Sequence, residues 1–358
     1  MNSKERMKIE GEPEKKKEDF TSIRRVLGRK YEDISEEEKR EMMESMEETF
    51  RNQKKFKEDL VKEFGSEENI PDILRTIFYE REKTPEEIKI IDLANQKTNK
   101  LREKFGLPEL SIPLENIYVI PREAPWPRDI EYDNYYIQIS QNIIIREARV
   151  RKLRDSKTIF AERVIHEMIH FKSYKSLKTL ENLSAVGAYR IGLHTYKRKN
   201  SSESYFNNIN EAIVEELTIR LLKELEEHPL FRDETIQTKK LKKLLAKEKS
   251  DEGKYLIKGD ELYINFDQGK SILSSAYFAN EKEREVLNIL IEKTFQKNKN
   301  KFKNKEEVFS IFVEATITGK MIFLGNLVDK TFGRGVFRKI AQIDTDVDKL
   351  KEYVRNLK

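Results

Sequence analysis

His166-Glu167-Met168-Ile169-His170 lies inside the stretch from Thr158-Ile159-Phe160 to Phe171, and its reading organises the rest of the chain. Phe160, Val164, Met168 and Phe171 recur at three- and four-residue steps with no Gly or Pro between them, which is the period of a helix. On a helix, residues four apart share a face, so the two imidazoles converge on one point and the Glu167 carboxylate stands beside them. The spacing is that of a pair of metal ligands with a neighbouring base. The chain has four histidines in 358 residues, and two of them fall in this one string. The bland alternative is a chance match in a helix-rich, charged protein, with each histidine simply packed or exposed.

A catalytic zinc is typically held by three side chains, with the fourth position open to water. The extended pattern HExxHxxGxxH would supply the third ligand locally. Here Ser173 and Ser176 stand at its Gly and His positions, so the metzincin arrangement is excluded. The next candidate lies downstream, in Asn210-Glu211-Ala212-Ile213-Val214-Glu215-Glu216-Leu217. HExxH followed by a helix carrying Asn-Glu-x-x-x-(Glu/Asp) resembles the gluzincin metallopeptidases, and most of all their small minigluzincin branch. The resemblance covers residues 84 to 228, and its specificity sits in two short strings. It implies zinc as cofactor, with His166, His170 and Glu211 as ligands and Glu167 as catalytic base. It also implies Glu215, with Asn210 beside the ligand, as supporting residues that orient the liganding groups.

The residues support this reading on their own terms. Ile209, Ile213, Leu217, Leu221 and Leu225 form an unbroken i+4 series, a seam that fixes one helix to a core. Glu211 and Glu215 fall on another line, which continues as Ile219 and Leu222 and is expected to be buried as well. A buried carboxylate is costly unless it is paired or binds a metal. A histidine ligand whose other ring N–H needs an acceptor would account for Glu215. The alternative is that Glu211, Glu215 and Glu216 face solvent or pair with Lys and Arg. Arg163 and Lys172, charged neighbours of the HExxH string, are expected to point outward.

His170 and Glu211 are 41 residues apart, so something must fold between them. Tyr189, Ile191, Leu193 and Thr195 alternate with Arg190, His194 and Tyr196, which reads as a strand. The polar run from Lys197 to Ser202 reads as a turn and cap before the Glu211 helix. Arg190, His194, Tyr196 and Tyr205 are the candidates for stabilising an oxyanion near the cleft, each with an ordinary packing or surface role as its alternative.

Composition sets further bounds. There is no cysteine, which removes disulfides and thiolate ligands and leaves His and carboxylates as the strong zinc ligands. That fits a reducing compartment. No signal peptide and no membrane span is visible, so a cytoplasmic location is expected. Charged residues make up 38% of the chain, yet the net charge is only +5, so the surface does not demand a nucleic-acid partner. The basic stretch from Lys239 to Lys247 reads as a solvated helix with one apolar edge.

The expected fold class is α+β, a small mixed sheet packed on the active-site helix with helical N-terminal and C-terminal parts. Residues 1–30 are polar and read as a mobile tail. Residues 31–83 form a helical extension, opened by the capping box Ser35-Glu36-Glu37-Glu38 and expected as one helix towards Glu63. Residues 84–232 form the zincin core. It begins at Thr84-Pro85-Glu86-Glu87, with proline at the first helical position, and that helix closes at Gly106. Strands follow at Asn116–Ile120 and Tyr135–Ser140, the second of which the resemblance implies is the edge strand above the cleft, with an ordinary buried strand as its alternative. Trp126, between prolines, reads as a loop anchor. Residues 233–275 hold the basic helix and a β-hairpin turning at Gly259-Asp260. Residues 276–358 form a helical subdomain, with helices at Glu283–Phe295, Glu306–Thr316 capped by Asn304, and Met321–Phe332 stopped by Gly333. The function expected from all this is zinc-dependent peptide hydrolysis, with a peptide or protein as partner. The alternative is a metal-stabilised binding module without turnover.

Overall fold

The computed structural model describes residues 23–27, 34–128, 133–138, 140–149, 151–179, 186–196, 204–245, 261–267 and 272–358. Strand β1 (Ile23–Leu27) leads into helices α1 (Glu36–Arg51) and α2 (Gln53–Phe64) and the single turn α3 (Asp72–Arg75). The Ser35–Glu38 capping box opens α1 as its sequence implies. The expected single helix towards Glu63 instead breaks at Asn52, whose side chain accepts from Lys55 N–H and starts α2. Asparagine competes with the helix for its own backbone, which favours such a break. The break turns Gln53 inward, where it takes a hydrogen bond from the Tyr118 hydroxyl and donates to the Ser140 carbonyl.

Helix α4 (Pro85–Lys104) carries the Thr84–Glu87 capping box with proline in its first turn. Strands β2 (Ile117–Ile120), β3 (Asn134–Ile137) and β4 (Asn142–Arg146) follow, then the short α5 (Arg151–Arg154). They form a mixed sheet in the order β2-β4-β3, with β2 parallel and β3 antiparallel to the central β4. Side chains alternate across the sheet. Ile117, Val119, Ile143 and Ile145 join the main core beneath α4, while Tyr118, Ile120, Ile137 and Ile144 join a second core with Leu60, Ile70 and Ile77. The N-terminal helical extension therefore covers the far face of the three-stranded sheet. Trp126 packs edge-on against Tyr135 at the margin of that second core, as a loop anchor should.

Helix α6 (Lys157–Lys172) carries HExxH and packs between α4 and α7 (Asn207–Lys223). Between α6 and α7 run β5 (Lys175–Thr179), β6 (Val186–Ile191), β7 (His194–Tyr196) and β8 (Ser204–Tyr205). With β1 they make a second mixed sheet, in which β1 lies parallel to β5 and the other pairs are antiparallel. Two expectations are corrected here. Ile23–Leu27, assigned on composition to a mobile tail, forms strand β1. The stretch Tyr189–Tyr196, expected as one strand, is a hairpin that turns at Gly192-Leu193. The cap expected in 197–202 lies outside the described residues.

Beyond α7 come α8 (Arg232–Leu245), the hairpin β9 (Glu261–Asp267) and β10 (Ile272–Tyr277), then α9 (Glu281–Lys297), α10 (Lys305–Thr318), α11 (Met321–Phe332), α12 (Val336–Ile343) and α13 (Val347–Asn356). The expected Gly259-Asp260 turn lies outside the described residues. The hairpin that is described pairs 261–267 with 272–277. Asn304 and Gly333 cap α10 and α11 as the sequence implies. Helices α9 to α13 share the main core with α6 and α7. The architecture is α+β, and among the described residues no helix is long and apolar enough to cross a membrane.

Candidate metal centre

Helix α6 is buried nearly all round. Ala161, Val164, Ile165, Met168, Ile169 and Phe171 are shut off from solvent, so its polar groups must find partners inside the protein. Its N-terminus is tied down from a distance. The Glu234 carboxylate, on α8, accepts from the backbone N–H groups of Lys157 (2.9 Å) and Thr158 (3.0 Å) and from the hydroxyls of Ser156 and Thr158. The expected seam is buried, with Ile209, Ile213, Leu217 and Leu221 on α7 and Leu225 just beyond its end. Truncating one such side chain to alanine typically costs about 2–5 kcal/mol, so the crossing of α6 and α7 is fixed by packing before any polar group acts.

That crossing brings the predicted ligands together. The Nε2 atoms of His166 and His170 are 3.2 Å apart, and Glu211 Oε2 lies 3.4 Å from the first and 3.3 Å from the second. Three ligand atoms ~2.0–2.1 Å from one tetrahedral ion are separated by about 3.3 Å, so the three side chains match the edges of a zinc tetrahedron. The chemistry of the donor set agrees. Glu215, 0% exposed, lies with Oε2 3.0 Å from His166 Nδ1, and its Oε1 accepts from Ala279 N–H at 3.1 Å. An acceptor at Nδ1 holds a ring proton there, so Nε2, which faces Glu211 and His170, is the nitrogen that would ligate a bound metal. The other two acids of the second motif divide as the sequence allowed, for Glu216 pairs with Arg220 on the outside of α7.

Burial works against charge at this site, and the close ion pairs overcome it. His166 would be pushed down by desolvation, but Glu211 and Glu215 raise it well above the ordinary histidine value. Burial would raise Glu211, but His170 and His166 hold it well below the usual carboxylate range. Glu162, one turn before His166 and partly buried, completes a cluster with the buried His166 and Glu215. Desolvation, helped by the Glu215 charge, pushes its carboxyl up to about 7. The sequence analysis missed Glu162, although the i−4 position from His166 on an apolar helix was the signal that could have found it.

Glu167 is 4% exposed and faces the sheet, where the side-chain amide of Asn134 donates to its Oε1. Asn134 opens β3, the edge strand of the three-stranded sheet, which lies against α6 as expected. Asn134 is a second residue the sequence analysis missed, since it falls one position before the alternating stretch.

The remaining candidates separate clearly. Asn210, grouped with Glu215 as ligand support, instead accepts from Leu193 N–H at 2.9 Å and so fastens the β6–β7 turn to α7. Gly192 allows this contact: it has φ +56°, and a Cβ there would fall 2.4 Å from Asn210 Oδ1. Arg190 has its guanidinium engaged with backbone carbonyls, those of Gly192, Ala315 and Gly319, capping α10, and stacked over Tyr174. Tyr205 pairs with Thr195 across β7–β8 and so lies on the sheet face opposite to His194 and Tyr196. His194 and Tyr196 stack with ring centroids 4.3 Å apart, and both lie within the field of Glu211. Burial pushes His194 down to about 4, so its ring is neutral near pH 7, and its Nε2 is buried with no hydrogen-bond partner among the described residues. The fourth histidine, His228, accepts from Leu230 N–H in the turn after α7.

The charged neighbours of the motif do not point outward. Lys172 is 1% exposed, and its Nζ donates into α4, to Asn95, Thr98 and Asn99. Arg163 donates to the Arg146 carbonyl and lies 3.6 Å from Asp133. Both tie α6 to its neighbours. No family model, no curated protein and no solved structure matches the chain.

Proposed function

We propose that the chain is a zinc-dependent peptidase of the gluzincin kind, with His166, His170 and Glu211 as ligands. The observation that carries the reading is the set of three donor-to-donor separations, 3.2, 3.3 and 3.4 Å, made by atoms from two helices far apart in sequence. Bound zinc would supply a lowered pKa for water and a Lewis acid for the substrate carbonyl.

The chain's own residues do the rest. Glu167 takes the proton of the attacking water and delivers it to the leaving amine. Asn134 holds the Glu167 carboxylate in line for that transfer. Glu215 keeps the His166 ring oriented and its proton on Nδ1. His194 Nε2 is the group best placed to donate to the developing oxyanion, because it is near the site, neutral near pH 7 and without another partner among the described residues. Among the described residues β3 pairs only with β4, so its other edge can pair with an extended peptide through main-chain hydrogen bonds, which makes a peptide the natural substrate class. The absence of cysteine suits a reducing compartment such as the cytoplasm.

The test is metal analysis of the purified protein together with digestion of a peptide library by wild type and Glu167→Gln. Zinc at one equivalent in both, with cleavage only by wild type, is the expected result. Full cleavage by Glu167→Gln would remove Glu167 as the base. A metal-stabilised binding module without turnover is the second reading, favoured by the near-complete burial of Glu167. Zinc without cleavage in wild type would select it.

A further inference from the structure

The N-terminus of α7 has no cap of its own. Phe206 precedes it in the left-handed region, at φ 58°, and offers no side-chain hydrogen bond, and the first turn holds no acidic residue. A helix start leaves backbone N–H groups without intrahelical partners, and a buried start must satisfy them from elsewhere. Asp344 does so from the far end of the chain. It follows α12 directly and is 0% exposed. Its Oδ2 accepts from Asn208 N–H at 2.8 Å and its Oδ1 from Ile209 N–H at 3.1 Å, while its backbone carbonyl accepts from the Asn208 side-chain amide. Among the described residues no Lys, Arg or His forms an ion pair with it, so its partners are backbone N–H groups at the positive end of the α7 dipole.

The turn held in this way is the one that carries the site. Asn210 follows Ile209 and locks the β6–β7 turn, and Glu211 comes next. Three contacts on two consecutive residues fix both the rotation and the axial position of α7 just where Glu211 leaves it. A shift of one ångström at a ligand is enough to spoil a metal tetrahedron whose edges match to a few tenths.

We propose that Asp344 is a positioning residue for Glu211, through which the C-terminal helices set the affinity of the metal centre. The proposal rests on the metal reading of His166, His170 and Glu211.

The experiment compares full-length wild type, Asp344→Ala, Asp344→Asn and Leu350→Ala. Leu350 is fully buried in α13 and touches the stability of the same helices without the cap. Zinc dissociation constants are measured against a chromophoric chelator at a temperature where each variant is folded, and unfolding is followed separately. Supporting residues around a metal typically contribute 10- to 100-fold in affinity, so Asp344→Ala should bind zinc roughly 10-fold or more weakly. Asp344→Asn, with one acceptor oxygen in place of two, should fall between the alanine variant and wild type. Leu350→Ala should lose stability and keep wild-type zinc affinity. Wild-type affinity in Asp344→Ala overturns the proposal while leaving the metal site standing, and so does an equal loss in Leu350→Ala. If Asp344→Ala does not fold, wild-type affinity in Asp344→Asn overturns it alone. A wild type that binds no zinc overturns both the metal reading and the role given to Asp344.

Discussion

Replacing Glu215 by glutamine isolates one electron pair. The carboxylate accepts two hydrogen bonds, from His166 Nδ1–H and from Ala279 N–H, in a place closed to solvent. Glutamine keeps the shape but has one acceptor oxygen and one donor nitrogen. If its oxygen serves Ala279, its nitrogen faces Nδ1, which must then be the bare nitrogen. The ring proton moves to Nε2, the atom 3.2 Å from His170 and 3.4 Å from Glu211, and that lone pair is lost to a metal. If its oxygen serves Nδ1–H instead, two donors meet at Ala279. Leaving a buried donor unsatisfied costs about 1–3 kcal/mol. Since about 1.4 kcal/mol is tenfold in affinity, zinc binding should weaken by roughly 10- to 100-fold. The substitution also removes a buried charge, which offsets its effect on folding, so stability in a chelator should change less than zinc affinity does. Competition against a chromophoric chelator reads the first quantity, and urea unfolding in EDTA reads the second. Wild-type zinc affinity in Glu215→Gln would refute the argument that this carboxylate sets the His166 tautomer.

Three further outcomes follow from the same geometry. The metal-free protein should be more stable at pH 6 than at pH 8. Glu162 and Asp344, both raised to about 7 by burial, bind protons in the folded state that the unfolded chain has already released, and the raised His166 proton adds stability that is lost as pH rises through its folded pKa. His194 and Lys172, lowered by burial, drift the opposite way, so a urea midpoint in EDTA that falls no more over that range in wild type than in Glu162→Gln and Asp344→Asn counts against these acids. Asn134→Ala should lower kcat about tenfold with little loss of folding stability, because it frees the Glu167 carboxylate without opening the core; an unchanged kcat would mean Asn134 does not position the base. Gly192→Ala should destabilise the protein by about 2–4 kcal/mol, combining a left-handed backbone with a clash on Asn210 Oδ1, and a variant as stable as wild type in urea would show the turn is not held as described.

The parts of the site that were legible in the sequence are those in which side chain speaks to side chain at helical spacing. His166 and His170 follow from a four-residue step. Glu211 and Glu215 came from the resemblance carried by Asn-Glu-x-x-x-Glu, with support from a line that turns apolar after the two acids. Alternation misled where it survives a fold: a two-residue turn keeps strand parity in step, so Tyr189 to Tyr196 alternates without a break although the chain reverses at Gly192-Leu193. Strand β4 gave no alternating signal because Ile143, Ile144 and Ile145 are buried on both faces. Lys172 was expected outside because nothing acidic beckons it inward, and its partners in α4 are neutral oxygens.

The residues that hold the two site helices in place were beyond the reach of such patterns for a different reason. Glu234 and Asp344 bond to backbone N–H groups, and every residue but proline has one, so the partner leaves no trace in the sequence. Asp344 lies 135 residues from Ile209, and Glu234 lies 76 from Thr158. The two helices that carry the candidate ligands thus each begin on a carboxylate contributed later in the chain, from α8 and from the residue after α12. A chain ending before these segments would keep every residue of both motifs and still lack the groups that register α6 and α7. For this fold, possession of HExxH and Asn-Glu-x-x-x-Glu is therefore a weaker condition than possession of the site, and the difference between them is carried by the helices of the C-terminal half.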